Sequence, residues 1–182
     1  MHLPFTRTGV CLLALLFASV LNGEDWSRFR GPNGTGVSTD VGFPIEFSAD
    51  KNLVWKASVR RGKSSPVLTE KHLFVTAHTD DKLYTQCFDR RTGKLLWEQS
   101  VDRRGKPLIH QLNEPAATTP VTDGTNVYVF FRDFGLLSYD RSGKLRWQRP
   151  LGPFTSPIGL SSSPILVDDR LVLQVDQYVD AY

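Results

Sequence analysis

The residues with the clearest chemical potential are histidines and carboxylates in two polar stretches. His78, Asp80 and Asp81 fall within four positions, and His110 lies further along the chain. Imidazole nitrogens and carboxylate oxygens are common ligands of divalent metals, but this spacing matches no established metal-binding motif. We therefore interpret these residues as solvated loop residues, and no metal ligand is assigned.

Two further stretches contain parts of catalytic or phosphate-binding motifs without completing them. The glycine-rich run 31–36 lacks the Lys-Ser/Thr ending that a phosphate-binding loop needs. The serine runs 64–65 and 161–163 have no His and Asp close by in the sequence that would activate a serine nucleophile. The sequence therefore predicts no catalytic residue.

Composition places the chain among ordinary globular proteins, because 40% of its residues are hydrophobic and 23% are charged. Its formal net charge is only +3. The basic clusters 60–63 and 103–106 contain no aromatic residues on which bases could stack. These features argue against a nucleic-acid partner.

Residues 1–23 have the pattern of a secretory signal peptide: Arg7 precedes an apolar run from Val10 to Leu21, and small or polar residues follow. The apolar run is shorter than the roughly 20 residues of a membrane-spanning helix. We expect cleavage near Gly23, export to the periplasm or cell envelope, and a mature domain of residues 24–182 without a transmembrane span. Cys87 would then be the one remaining cysteine, and its apolar neighbours predict a buried free thiol.

Internal repetition is the main structural signal. Pro66, Pro120 and Pro164 follow Ser or Thr and open three similar units at intervals of roughly 45–55 residues, a period typical of four-stranded propeller blades. Short β-branched and aromatic runs follow each proline, which predicts strands rather than helices. We expect each Ser or Thr before proline to bond the local backbone.

Each complete unit closes with the same turn. An aspartate and a glycine frame a tight turn, and a tryptophan follows four residues after the glycine. The residues concerned are Asp89, Gly93 and Trp97, then Asp140, Gly143 and Trp147, with Trp55 ending a partial unit before them. Such a large ring suits the wedge between adjacent blades. The sequence predicts an all-β propeller of four-stranded antiparallel blades, of which about three are present, so that the propeller is incomplete.

The segments 25–32, 83–97 and 135–147 resemble the PQQ-like β-propeller repeats of secreted bacterial proteins. They carry a Trp-x-x-Phe-Arg-Gly-Pro opening and two copies of the Asp, Gly and Trp ending. That group includes outer-membrane assembly factors of the BamB type and true quinoprotein dehydrogenases. A closed member would have about seven or eight blades, so the resemblance implies that this chain is an N-terminal fragment.

The favoured function is a non-catalytic envelope scaffold that binds a protein, small-molecule or glycan partner. The best candidate binding loop is the insertion 102–114, with His110 and Asn113 as its first candidates. One alternative is a PQQ-dependent dehydrogenase with Ca²⁺; the adjacent cysteine pair that often stacks on PQQ is missing from the sequence. Another is a carbohydrate-binding propeller that uses Phe134 and Phe154.

Overall fold

The computed structural model describes residues 24–105, 110–152, 154, 156, 159–175 and, for the backbone alone, 178–181. The predicted signal peptide lies outside these residues. The described part of the chain contains eleven strands: β1 (Val67–Leu68), β2 (His72–His78), β3 (Lys82–Asp89), β4 (Leu95–Asp102), β5 (Val121–Thr122), β6 (Asn126–Phe131), β7 (Gly135–Asp140), β8 (Leu145–Pro150), β9 (Ile165–Val167), β10 (Arg170–Val175) and β11 (Tyr178–Ala181).

The strands form three antiparallel meanders in chain order. Sheet one is β1-β2-β3-β4, sheet two is β5-β6-β7-β8, and sheet three holds β9-β10-β11 within the described residues. No helix occurs among those residues. The prediction of an all-β, incomplete propeller built from four-stranded antiparallel units is confirmed.

Burial follows strand position within each sheet. The third strands β3 and β7 are almost entirely buried, whereas β8 is exposed along its length. A strand covered on both faces needs an apolar sequence, as β7 has, while an outer strand tolerates the charges of β8. Sheets one and two therefore bury their third strands and present their fourth strands mainly to solvent.

Two apolar cores hold the three sheets together. The first packs sheet one on sheet two and includes Phe74, Leu83 and Leu137. The second packs sheet two on sheet three through Phe130 and Leu173. Consecutive sheets thus stack face to face, as blades do in a propeller.

Cys87 lies in the first core, as predicted, and is a buried free thiol. Burial, followed by the nearby charge of Asp89, raises the pKa of the thiol to about 12. The thiol therefore stays protonated at neutral pH and acts as a small apolar side chain.

Hydroxyl side chains link successive sheets at the start of their first strands. The backbone N–H of Ser65 donates to Thr119 Oγ1 at 3.1 Å, and the N–H of Thr119 donates to Ser163 Oγ at 2.9 Å. Each of these residues precedes the proline that opens a unit. The expectation of local bonds at Thr119 and Ser163 was wrong, because both hydroxyls accept from the preceding sheet instead.

The segment 24–28 runs across the free edges of the first strands. Trp26 forms an antiparallel bridge with Leu68 of β1, and the carbonyl oxygen of Ser27 accepts a bond of 2.9 Å from Thr122 of β5. These bonds satisfy edge groups that would otherwise remain unpaired.

The antiparallel order gives the molecule two distinct ends. One end, which we call the loop face, holds the hairpin tips 79–81 and 132–134 and the described residues of the long connections 103–120 and 151–164. The short turns 69–71, 90–94, 123–125, 141–144 and 168–169 lie at the other, which we call the turn face. Side chains available for binding are concentrated on the loop face because long connections present more of them.

Candidate binding site on the loop face

The predicted binding loop contains a compact turn at residues 110–114. The N–H of Asn113 donates to the carbonyl oxygen of His110 at 2.8 Å, and the N–H of Leu112 donates to His110 Nδ1 at 3.2 Å. Asn113 Oδ1 accepts a bond of 2.9 Å from the N–H of Glu114. The two predicted residues, His110 and Asn113, therefore hold the conformation of the turn through their own polar atoms.

Glu114 attaches this turn to sheet one. Its carboxylate lies 2.9 Å from Arg61 Nε, 3.9 Å from Lys63 Nζ and 3.5 Å from His78 Nε2, and its side chain is only 9% exposed. Burial alone would raise the pKa of Glu114, but the hydrogen bond from Arg61 and the surrounding positive charges lower it. Glu114 thus remains ionised at neutral pH and fixes one end of the turn.

Lys63 provides a second attachment, because its Nζ donates to the carbonyl oxygen of Leu112 at 2.8 Å. Leu112 itself is 75% exposed. His110, Leu112, Asn113 and Ser161 border an open depression of about 470 Å³. The structure therefore presents an exposed leucine on a held turn, beside a hollow shared with the next connection.

The start of the same connection is held by a buried ion pair. Arg103 Nε and Nη2 lie 2.8 and 2.7 Å from Asp133 Oδ2, and the Asp133 side chain has no exposed surface. The N–H of Arg104 donates to the carbonyl oxygen of Asp133 at 2.7 Å. The hairpin tip of sheet two thus fixes the path along which the candidate loop leaves β4.

The next connection is attached to the same hairpin tip. Arg132 Nη2 donates to the carbonyl oxygen of Ser156 at 2.6 Å, and the N–H of Leu151 donates to the carbonyl oxygen of Phe134 at 3.3 Å. Both long connections beside the depression are therefore bound to residues 132–134.

The basic cluster 60–63 is engaged in ion pairs. Arg60 forms two hydrogen bonds of 2.9–3.0 Å with Glu98 and lies over the ring of Tyr84 at 4.3 Å. The hydrogen bonds from Arg60 lower the pKa of Glu98. Together with the Arg61–Glu114 contact, this pairing leaves the cluster poorly suited to phosphate binding.

The histidines and carboxylates singled out as possible metal ligands do not form one cluster. His78 is nearly buried against Glu114, so the expectation that it is a solvated loop residue was wrong. Asp80 and Asp81 are exposed, and their carbonyl oxygens accept bonds from Arg103. Among the described residues, no three His, Cys, Asp or Glu side chains come close enough to hold a metal ion.

The alternative with PQQ and Ca²⁺ stays a prediction. In the described part of the chain, no three His, Cys, Asp or Glu side chains lie together. At the axial edges of β1 and β5, the backbone groups of Leu68 and Thr122 are already bonded to the segment 24–28. A planar anionic cofactor held by Ca²⁺ needs oxygen ligands and free polar groups in one place.

The aromatic residues proposed for carbohydrate stacking are not both available. Phe134 is 5% exposed, and the guanidinium of Arg104 lies 4.5 Å above its ring centroid. Phe154 packs edge-on against Phe130 with ring centroids 5.9 Å apart. The suggestion that Phe134 is an open stacking platform was wrong, since its ring is part of the packed loop face.

The residues of the repeated ending form contacts between sheets. Trp55 Nε1 donates to the carbonyl oxygen of Arg90 at 2.9 Å, and its ring lies against Gly93, where a Cβ would be 2.5 Å from it. Trp97 Nε1 donates to the carbonyl oxygen of Arg141 at 2.9 Å and covers Gly143 in the same way. Trp55 and Trp97 therefore each contact the closing turn of the sheet that follows them in the chain.

The aspartates stabilise those turns. Asp89 Oδ1 accepts bonds of 2.7 Å from the hydroxyl and the N–H of Thr92, which lower its pKa. Asp140 Oδ1 accepts bonds of 2.6 and 2.8 Å from the hydroxyl and the N–H of Ser142, and its pKa is lowered for the same reason. In each turn the aspartate side chain closes the loop by accepting hydrogen bonds, and the glycine lies beneath the indole ring.

Trp147 differs from the other two, since it is 38% exposed. Its ring lies 6.0 Å from Tyr128 of its own sheet. Within the described residues, sheet three has no turn equivalent to 90–94 or 141–144 on which this indole could pack. The interpretation of Trp147 as a wedge between blades therefore stays a prediction.

Glu114 is the important residue of the site that sequence reasoning missed. It contacts Arg61 and His78, which are 53 and 36 positions away along the chain. A single acid in a polar loop gives no signal of such pairing. The one signal in the sequence was that Glu114 is a single acid that can pair with the basic cluster 60–63. This signal can be used only when both segments are placed on the same face of the molecule.

The fold and its contacts define this chain as a β-propeller repeat protein. Four-stranded antiparallel sheets stack in chain order, and the tryptophan of one sheet binds the Asp-Gly turn of the next. The chain belongs to the family described as outer membrane protein assembly factor BamB, whose sequence profile matches residues 32–179. The resemblance drawn from the repeats is thereby confirmed.

Individual relatives match over part of their length. Outer membrane protein assembly factor BamB of Moranella endobia (strain PCIT) is 32% identical over 87 residues, which cover 47% of this chain and 20% of that protein. This chain thus spans about a fifth of the curated relative.

Two solved structures are also similar. BamB from Moraxella catarrhalis has 15% identity and a TM-score of 0.47, over 72% of this chain and 40% of that chain. A quinohemoprotein alcohol dehydrogenase, ADHIIG from Pseudomonas putida HK5, has 18% identity and a TM-score of 0.46, over 70% of this chain and 20% of that chain.

Among the described residues, no helix is long and apolar enough to cross a membrane.

Proposed function

We propose that this chain is an exported, non-catalytic scaffold of the cell envelope that binds a protein partner during outer membrane protein assembly. Membership of the family described as outer membrane protein assembly factor BamB supports the process and the compartment. The loop-face turn 110–114 supports the mode of action, because it offers a protein-binding surface without catalytic groups.

The observation that carries this proposal is the exposed side chain of Leu112 on a rigid support. A leucine that is 75% exposed gains nothing for folding, yet its backbone is held by Lys63 and by the pairing of Glu114 with Arg61. A pre-ordered loop loses little conformational entropy on binding, which favours affinity. Protein interfaces typically have an apolar centre within a polar rim, and Leu112 among polar neighbours has this arrangement.

Complementation of a deletion strain tests the proposal. Wild-type protein should restore the amount of folded β-barrel protein in the outer membrane, measured by heat-modifiable gel mobility. Leu112→Asp should fail, because a charge at the centre of an apolar contact opposes its desolvation.

Val167→Asp is the matched control, since Val167 is 46% exposed but lies on the turn face. It should restore assembly as well as wild type. Equal activity of both variants would refute a role for the turn, and failure of wild-type protein to restore assembly would refute the process.

The dehydrogenase alternative has a direct test of its own. Purified protein supplied with PQQ and Ca²⁺ should give no dye-linked oxidation of alcohols or sugars above that of the cofactor alone. Turnover that depends on the protein would overturn the proposal that it is non-catalytic.

A further inference from the structure

The backbone nitrogen of Glu24 faces an aspartate that lacks a cation. The N–H of Glu24 donates to Asp40 Oδ2 at 2.8 Å, and both residues are partly buried. Among the described residues, no lysine, arginine or histidine side chain pairs with Asp40. Taking a carboxylate out of water is costly unless a cation compensates its charge. The position opposite Asp40 therefore favours a positively charged nitrogen.

The turn 38–40 holds Asp40 in this position. The N–H of Asp40 donates to Ser38 Oγ at 3.1 Å, and Ser38 Oγ donates to Glu24 Oε2 at 3.1 Å. The N–H of Thr39 donates to the same oxygen of Glu24 at 3.4 Å. The side chain of Glu24 is thus bound to the turn, and its main-chain nitrogen is bound to Asp40.

The nearby arginine does not compensate Asp40. Arg90 Nη1 lies 3.6 Å from Asp25 Oδ1 and donates to the carbonyl oxygen of Thr69 at 2.9 Å. Its Nη2 donates to the carbonyl oxygen of Glu24 at 3.4 Å. Arg90 is therefore engaged with Asp25 and with the backbone, and a further positive charge beside Asp40 would be attracted to it.

We propose that cleavage of the chain between Gly23 and Glu24 creates an α-ammonium group that Asp40 binds. The inference rests on the export put forward above, and it adds the processing site and the residue that receives the new terminus. Gly23 is a small residue at the end of the predicted signal peptide, as a processing site requires.

The cleavage is a hydrolysis by the protease that removes the signal peptide. Water adds across the peptide bond, so that its hydroxyl goes to the carbonyl carbon of Gly23 and its hydrogen to the nitrogen of Glu24. At neutral pH the new carboxyl group loses a proton and the new amine takes one up. The nitrogen that faces Asp40 thereby becomes positively charged.

Cleavage changes the donor that Asp40 binds. In the uncut chain a neutral amide offers one N–H, whereas an ammonium group has three N–H donors and a full charge. Charge-assisted hydrogen bonds are stronger than neutral ones. Glu24, Ser38 and Asp40 border an open hollow of about 500 Å³, which gives water access to the other N–H groups of the terminus.

Binding of the terminus fixes the segment 24–28 across two sheets. Trp26 exchanges hydrogen bonds of 3.0 and 2.9 Å with Leu68 of β1, and the carbonyl oxygen of Ser27 accepts from Thr122 of β5. Chain termini fray unless they are tied down. A terminus anchored two residues before Trp26 therefore stabilises the connection between sheets one and two.

Mass spectrometry of the exported protein tests the processing site. The full chain is expressed with its own leader in a Gram-negative host, and the protein recovered from the periplasm should begin at Glu24. A terminus at another residue would refute this inference and leave export intact. An unprocessed chain that stays in the cytoplasm would refute export, and this inference with it.

Hydrogen exchange tests the role of Asp40. Protein that begins at Glu24 should exchange the amide of Trp26 about fivefold more slowly than protein that begins at Asn22, both released from a cleavable fusion. Asp40→Asn should remove this difference. Asp50→Asn is the matched control, because it changes an exposed carboxylate of the same segment and should preserve the difference. Equal exchange of the two wild-type forms, or a difference that persists in Asp40→Asn, would overturn the pairing.

Discussion

Trp97 Nε1 donates a hydrogen bond of 2.9 Å to the carbonyl oxygen of Arg141, which lies in the closing turn of the next sheet. The indole also packs against Tyr139 of that sheet and Phe74 of its own. One side chain thus joins two blades by a directional bond and by apolar contact. The stacking of the repeats depends on this contact because it fixes the position of each blade relative to the next.

Removing the Trp97 ring should destabilise the protein strongly. Trp97→Ala is expected to lower the free energy of unfolding by about 3–5 kcal/mol, because it leaves a cavity between two sheets. Trp97→Phe should cost less, as it keeps most of the apolar contact and loses the indole bond, worth about 1 kcal/mol. Urea unfolding measures both, and equal effects of the two variants would contradict the contribution of the ring.

The glycine beneath the indole should not tolerate a side chain. Gly143 has a φ of +85°, and a Cβ there would lie 2.7 Å from the Trp97 ring. Gly124 has a similar φ of +83° but open space around it. Gly124→Ala should therefore cost about 1–2 kcal/mol for the backbone alone, and Gly143→Ala a further 1–3 kcal/mol for the clash. Thermal unfolding that ranks the two variants equally would argue against close packing.

Breaking the buried ion pair should loosen the loop face. Asp133→Asn is expected to cost about 3–5 kcal/mol, since it leaves the charge of Arg103 without compensation. Asp102→Asn removes a carboxylate that is 85% exposed and 3.4 Å from Lys82, and should cost less than about 1 kcal/mol. Urea unfolding with hydrogen exchange of residues 103–120 checks both, and unchanged exchange in Asp133→Asn would contradict the anchoring role.

The Asp140 turn should contribute to stability in a pH-dependent way. The pKa of Asp140 is lowered by its bonds with Ser142, so its contribution is complete above the unfolded pKa of about 3.9. It is lost as the pH falls below that value through the folded pKa. Asp140→Asn should therefore lose less stability between pH 5 and pH 3 than wild type.

Asp168→Asn serves as the control for that series, because it removes an exposed carboxylate from the β9–β10 turn. The stability of Asp168→Asn should vary with pH in the same way as that of wild type. If chemical denaturation gives parallel pH curves for wild type and Asp140→Asn, the turn bonds do not stabilise the ionised form.

Much of the fold was predictable because its signals are local and repeated. Proline after Ser or Thr, a buried strand, an Asp-Gly turn and tryptophan recur in order, and each has a physical role within a few residues of its position. The partners of Trp97 follow from the same repetition, since the next turn must lie beside it. The surroundings of Trp147 could not be predicted in this way, because they depend on what packs against its sheet rather than on its own repeat.

The candidate site was only half predictable. The length and polarity of 102–114 indicated a binding loop and pointed to His110 and Asn113. The attachment of that loop to Arg61, Lys63 and His78 depends on contacts between residues distant in sequence, for which a single sequence carries no pattern. The burial of Phe134 under Arg104 could not be predicted for the same reason.

Site-specific photo-crosslinking in living cells tests the central claim of a partner-binding loop face most directly. A photoreactive amino acid at position 112 should give a discrete crosslinked product in the envelope fraction, whereas the same residue at position 167 should give none. Crosslinking at position 167 with none at position 112 would contradict the account.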